Sequence, residues 1–212
     1  GGPAGLMTAY QLLQLEKNAR TQNKKLCPFE IHLYDSMPSV GRKFLLAGIG
    51  GLNLTHAEPK QDFISRYSNS QNPATLAGNC PAHLEDWLND FAADECRQWA
   101  SSLGITTFVG SSGRVFPDEM KAAPLLRAWL HEMRYPSSGS AVVFHLRHQC
   151  VGFNEATMQL EFEHRDTGKV TVQADLIVMA MGGASWPKLG SNGQWQTWLK
   201  SENYQVQPLQ AS

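Results

Sequence analysis

Gly1-Gly2-Pro3-Ala4-Gly5-Leu6-Met7-Thr8-Ala9-Tyr10-Gln11-Leu12-Leu13-Gln14-Leu15 is the stretch on which the fold turns. Leu6, Ala9, Tyr10 and Leu13 recur at the i, i+3, i+4, i+7 spacing that gives a helix one apolar face. Gly2 and Gly5 stand at the mouth of that helix, placed as the last two glycines of G-x-G-x-x-G are. In such a turn the middle glycine lets the backbone approach a pyrophosphate, and the last lets the helix pack closely on its strand. The unpaired N–H groups of the first helical turn, with the positive end of the helix dipole, then face the phosphates. The pattern's first glycine and the strand before it would precede residue 1, so the chain reads as incomplete, starting inside the turn.

Downstream, the polar run from Glu16 to Lys25 predicts a solvated helix end and a loop. Phe29, Ile31 and Leu33 alternate with Glu30 and His32, the period of a strand that ends at Tyr34-Asp35. A carboxylate leaving a strand at this place can accept hydrogen bonds from both ribose hydroxyls of an adenosine. Its distance from Gly5 exceeds the usual spacing of roughly 20 residues, and the polar excursion from Asn18 to Lys25 accounts for the excess. The competing role for Asp35 is that of a turn or N-cap residue. Together these features favour dinucleotide binding and leave FAD and NAD both open.

Residues 36–56 are too apolar for a linker and too glycine-rich for a regular element, which marks a functional loop. Two helices follow. His83 to Trp99 would put Leu84, Trp87, Leu88, Phe91 and Ala92 on one face. Lys121 to Met133 would do so with Ala122, Leu125, Leu126, Trp129, Leu130 and Met133. After the turn at Pro136–Gly139 the pattern predicts strands over Ala141–Leu146, Thr157–His164 and Val170–Ala180, with Asp166-Thr167-Gly168 as a hairpin turn. The run Leu176-Ile177-Val178-Met179-Ala180 reads as a central strand covered on both faces. A glycine pair, Gly182-Gly183, a loop at Gly190-Ser191-Asn192-Gly193 and a short helix complete the chain.

The net charge of −1, with 42% hydrophobic and 17% charged residues, is that of an ordinary globular protein and excludes the footprint of a general nucleic-acid binder. No apolar run approaches the roughly 20 residues of a membrane span, and the expectation is a soluble, cytoplasmic protein. The four cysteines, Cys27, Cys80, Cys96 and Cys150, lack C-x-x-C spacing and read as reduced, inert thiols. His145 and His148, on one strand, would face opposite ways, which argues against a metal pair. Neither a P-loop nor a G-x-S-x-G elbow is present.

Several blocks in one order now resemble the BaiN/YhiN-type NAD(P)/FAD-dependent oxidoreductases, a flavoprotein family. They are Gly1 to Gly5, Tyr34 to Lys43, the glycine stretch through Gly51-Leu52-Asn53-Leu54-Thr55, Gly113-Arg114-Val115-Phe116-Pro117 and Gly182-Gly183-Ala184-Ser185-Trp186-Pro187. The resemblance implies an α/β fold: a glutathione-reductase-like FAD-binding Rossmann domain with a mostly parallel sheet, a helical insertion and a small antiparallel β element. It places an incomplete FAD domain at 1–190 and the start of an inserted substrate domain at 191–212.

On that map Gly2, Pro3, Ala4 and Gly5 hold the pyrophosphate and Asp35 the ribose, while Arg42 and Lys43 offset phosphate or reduced-flavin charge. Gly50, Gly51, Asn53 and Thr55 serve the flavin side, Val151 the adenine, and Gly182 and Gly183 a second close backbone approach. A branch of the family carries Arg-Cys-Asn where this chain has Gly51-Leu52-Asn53, so no thiol chemistry is available there. The implied activity is hydride transfer through flavin N5 to an electron-poor substrate such as an activated C=C bond, with NAD(P)H a candidate reductant. The substrate would be a small molecule or nucleobase-like compound. No catalytic acid or base is identifiable. The rival readings are an inactive truncated flavoprotein and an NAD-binding dehydrogenase or nucleotide-binding module.

Overall fold

The computed structural model describes residues 1–24, 27, 29–68, 84–137, 139–199, 206 and 208–209. The chain divides into two compact units, one built from residues 1–46 and 130–212, the other from residues 47–129.

In the first unit, helix α1 (Pro3–Thr21) runs from Gly2 at its N-cap and carries Pro3 in its first turn, where a missing N–H costs nothing. Leu6, Ala9, Tyr10 and Leu13 are its buried face, as the spacing predicts. The helix ends at Thr21, inside the run expected as helix end and loop, but Glu16 proves to be buried, at 3% exposure. Its carboxylate is fully engaged. Arg20 donates to it from Nε and Nη2 at 3.0 and 2.7 Å, the Ser140 N–H donates at 2.8 Å and the Ser140 hydroxyl at 3.2 Å. Burial opposes ionisation of Glu16, but these four donors outweigh it and hold its carboxyl below the ordinary value.

Strand β1 (Ile31–Asp35) buries Ile31 and Leu33 on one face, as its alternation predicts. Helix α2 (Arg42–Ala47) begins soon after, inside the stretch expected to hold no regular element. Strand β2 (Thr55–His56) also lies in that stretch and belongs to the second unit. Glycine confined to residues 41, 48, 50 and 51 leaves Arg42-Lys43-Phe44-Leu45-Leu46-Ala47 free to form a helical turn.

The second unit holds α3 (Lys60–Ser68), α4 (Leu84–Asp90) and α5 (Ala93–Ser102), then β3 (Thr107–Val109) and β4 (Arg114–Pro117). The strands form an antiparallel sheet in the order β2-β4-β3. The single helix expected from His83 to Trp99 is instead two. Ala92 adopts an extended φ of −112° and ψ of −152°, and the chain restarts at Ala93. The restart is anchored by Glu95, whose Oε2 accepts the Ala92 N–H at 2.9 Å, while Lys60 donates to its Oε1 at 2.8 Å. Consequently Trp87, expected in the core, is 57% exposed. The Leu84 side chain and His83 lie outside the described residues. Helix α6 (Ala122–Arg134) buries Ala122, Leu125, Leu126, Trp129 and Met133 as its periodicity predicts, and Trp99 meets Trp129 edge-on at 4.8 Å.

Back in the first unit, β5 (Val142–Leu146) pairs with β1 in parallel, Ile31 opposite Val142 and Asp35 opposite Leu146. Strands β6 (His148–Asn154), β7 (Gln159–His164) and β8 (Gly168–Gln173) form an antiparallel meander. The β7–β8 turn is the expected hairpin, with His164 opposite Gly168. The other face of β1 meets this meander through Tyr34, which stacks on Phe162 of β7 at 4.4 Å between centroids and on His145 of the neighbouring β5 at 4.3 Å. Arg147, at φ +61°, breaks the chain between β5 and β6. His145 and His148 therefore do not share a strand, and their rings meet at 5.8 Å instead of facing apart. Among the described residues no group of three or more ligating side chains is placed to hold a metal ion.

The central strand expected over Leu176–Ala180 is not formed. The strand ends at Gln173, the Ala174 N–H still donates to the Met158 carbonyl at 3.2 Å, and residues 175–183 belong to no strand among the described residues. Leu176 and Val178 are 74% and 56% exposed. An apolar, β-branched run becomes a strand only where a neighbour supplies matching N–H and C=O groups. The last elements among the described residues are a 3₁₀ turn (Pro187–Leu189) and the short helix α7 (Trp195–Trp198).

Candidate dinucleotide site

The site is assembled around the N-terminus of α1. Gly2 caps the helix with φ −78° and ψ −179°, and no side chain caps the first turn. A Cβ added to Gly2 would meet nothing within 4 Å. Glycine is therefore not required at Gly2 by the protein's own packing, and its bare backbone opens a space beside the N–H groups of Ala4 and Gly5. Pro3 lacks that donor and fixes the entry angle. A Cβ on Gly5 would stand 3.4 Å from the Ala180 Cβ, so Gly5 lies against the segment that follows Val178.

Gly1 is a requirement that the sequence reading did not find. A Cβ there would collide with the Asp35 carboxylate and would approach Val40 Cγ1 to 2.7 Å. The Gly1 nitrogen lies 3.2 Å from the Tyr34 carbonyl and 3.5 Å from Asp35 Oδ2, and the Gly1 carbonyl accepts the Gly41 N–H at 2.9 Å. The glycine turn, the end of β1 and the start of α2 thus touch. Asp35 is placed beside the turn, as a ribose-binding acid must be. It also fills the competing role, since its Oδ1 accepts the Met37 N–H at 2.7 Å. That bond fixes the carboxylate's orientation and leaves Oδ2 toward Gly1.

Arg42 and Lys43 open α2. Among the described residues Arg42 reaches only Ser39, at 3.4 Å. Lys43 donates to Ser185 Oγ at 2.6 Å, which ties it to the loop carrying Gly182 and Gly183. In that loop Gly182 has φ +70°, a conformation that favours glycine, and its carbonyl accepts the Trp195 indole N–H at 2.9 Å. Ser191 donates its hydroxyl to the Gly183 carbonyl, while a Cβ on Gly183 would meet nothing. At Gly190 a Cβ would come within 2.7 Å of Ser36 Oγ, so this loop packs on the residue following Asp35. Ser185 lies in a block that carries the family resemblance and Ser191 in a glycine-flanked loop, but the sequence reading assigns a role to neither.

Val151 lies at the β-bulge of β6, where the pairing passes from Cys150–Phe162 to Gly152–Glu161 and skips it. Gly50, Gly51, Asn53 and Thr55 lie in the second unit. Gly51 has φ +125°, and a Cβ there would meet Met120 Cε at 2.7 Å; Gly50 has φ +85° with open space around it. Asn53 is exposed, and Thr55 pairs with Val115 in the β2–β4 ladder. Cys96 and Cys150 are free thiols with values raised by burial, Cys96 to about 11, and Cys27 is free and exposed. Cys80 lies outside the described residues.

The family described as HI0933-like protein Rossmann domain matches residues 1–211. A search among curated proteins finds no match. No helix among the described residues is long and apolar enough to cross a membrane.

Proposed function

The chain belongs to the HI0933-like Rossmann-domain family, a family of FAD-binding, oxidoreductase-type flavoproteins, and we propose that it works as an FAD-dependent oxidoreductase of the BaiN/YhiN type. The observation that carries this reading is the open backbone at Gly2, at the uncapped start of α1, with Asp35 in contact with the same turn. That pairing suits a pyrophosphate flanked by a ribose.

The Ala4 and Gly5 N–H groups would take the pyrophosphate, with Gly2 giving it access. Asp35 would accept from the ribose, already oriented by the Met37 N–H. Lys43, steadied by Ser185, would neutralise charge near the cofactor, with Arg42 beside it. Val151, freed from the β6–β7 ladder, would offer its backbone to the adenine. Gly182 and Gly183 would make the second close approach, and Gly50, Gly51, Asn53 and Thr55 would serve the flavin end. Bound FAD would supply two-electron transfer through N5, here to an electron-poor acceptor such as an activated C=C bond. NAD(P)H is the reductant proposed, and residues 191–212 the beginning of a substrate-binding domain. The β6–β7–β8 meander against the β1–β5 pair supports a glutathione-reductase-like arrangement.

The test is the visible spectrum of the purified full chain before and after FAD addition. A protein-bound flavin band near one FAD per chain supports the reading. No flavin at any concentration, with saturable binding of a nicotinamide dinucleotide instead, replaces it with a nucleotide-binding module.

A further inference from the structure

We propose that the cleft at the carboxyl ends of β1 and β5 is a second anion subsite, built for a phosphate monoester. It is a shallow, open cleft of about 500 Å³, lined by Ser36, which follows β1, Arg147, which follows β5, Gln149 of β6 and the β7–β8 hairpin. In open α/β folds, ligands bind outside the carboxyl ends of parallel strands, and this cleft lies at that end of the β1–β5 pair. It adjoins Asp35 in the chain but uses none of the residues assigned to the flavin.

Its walls are cationic and preset. Arg147 adopts φ +61°, unfavourable for a side-chain-bearing residue, and is held there by its N–H donating to the Met37 carbonyl at 3.1 Å. Asp166 steadies its guanidinium from one side at 3.2 Å. His164 Nδ1 accepts the Asp166 and Thr167 N–H groups at 3.2 and 3.1 Å, so in the neutral ring the proton is on Nε2, a donor. Arg165 and Lys169 also line the cleft, and among the described residues neither makes a salt bridge. Glu163 lies opposite Lys169 in the ladder and is the one carboxylate on the lining. Arg165 and Lys169, outside the salt bridges among the described residues, and the Arg147 guanidinium steadied by Asp166 form the charged set that a phosphate dianion takes through charge-assisted bonds.

The phosphate could be free, on a small metabolite, or carried on the ribose of an adenosine seated at Asp35. Inorganic phosphate is titrated into the ¹⁵N-labelled full chain at constant ionic strength, following the amides from His164 to Lys169. Saturable shifts are expected, weakened roughly tenfold or more in the double variant Arg165→Gln/Lys169→Gln. Arg165→Lys/Lys169→Arg is expected to restore them. Should the double variant misfold, Gln149→Glu, which adds a carboxylate to the β6 wall, is expected to weaken binding similarly. Adenosine 2′,5′-bisphosphate binding more tightly than adenosine 5′-monophosphate, with the gain lost in the double variant, identifies the adenosine-borne source. Equal binding of the two nucleotides, with inorganic phosphate still saturable, identifies the free one. Shifts that grow linearly with phosphate and are the same in every variant overturn the proposal. FAD binding is read separately by absorption, so the inorganic-phosphate outcome stands whether or not the flavin site does, and the nucleotide arms are run on FAD-free protein because they share Asp35 with the flavin's ribose.

Discussion

Replacing Gly2 with alanine separates what the protein needs at the glycine turn from what a cofactor needs there. In the folded chain the new methyl would meet nothing within 4 Å, and φ −78°, ψ −179° is accessible to any residue. The cost to folding is then only that of a poorer N-cap, about 1 kcal/mol or less. For a chain of this size that lowers Tm by about 2–4 °C. Cofactor binding has much more to lose. The methyl would stand where a pyrophosphate must approach, and each charge-assisted bond lost costs about 1.5–3 kcal/mol. One such loss weakens FAD by roughly tenfold to a hundredfold, by the affinity scale of 1.4 kcal/mol per decade. Thermal denaturation and a flavin-fluorescence titration on the same variant read the two effects apart. Gly1→Ala is the control, since its methyl strikes Asp35 and Val40 and must cost folding first. A Gly2→Ala chain that binds FAD as the parent does would refute the placement of the pyrophosphate at this turn.

Glu16→Ala leaves the Ser140 N–H without its acceptor and Arg20 without its carboxylate, and should lower stability by about 2–3 kcal/mol in urea denaturation at neutral pH. Because the folded Glu16 value is lowered from 4.5, its contribution is present above that pH and lost as pH falls through the folded value; Glu16→Gln should flatten this part of the acid limb. Glu95, held at about 2 chiefly by the Lys60 hydrogen bond and then by the Ala92 N–H, should keep the start of α5 protected from hydrogen exchange down to roughly that pH, and Lys60→Met should move the loss upward. Gly51→Ala should destabilise the second unit by more than 1 kcal/mol, about the cost of a side chain at positive φ, and Met120→Ala should recover only the steric part, because φ +125° remains. Site-resolved alkylation at pH 7 should modify exposed Cys27 well before Cys96, whose thiol is raised to about 11; equal rates would contradict the burial of Cys96.

Periodicity in the sequence was enough for α1, β1, α6 and the β7–β8 hairpin, because in each the buried face is set by neighbours a turn or a pleat away. The glycines at Gly2 and Gly5 and the acid at Asp35 were legible for the same reason: the chemistry they suit is written in residue type and local order. Three features needed the folded chain. Glu16 reads as polar and therefore solvated, and only the 139–140 loop arriving from far along the sequence buries it and supplies its donors. Leu176 to Ala180 has the composition of a central strand, yet a strand is a relation between two segments, and composition says nothing of the partner. The cleft beyond Ser36 joins residues more than a hundred positions apart, brought together by the parallel pairing of β1 with β5 and by Arg147 turning the chain between β5 and β6. Local propensity determined the elements and the cofactor-type signature; long-range pairing, which no local pattern encodes, decided which charges share a wall.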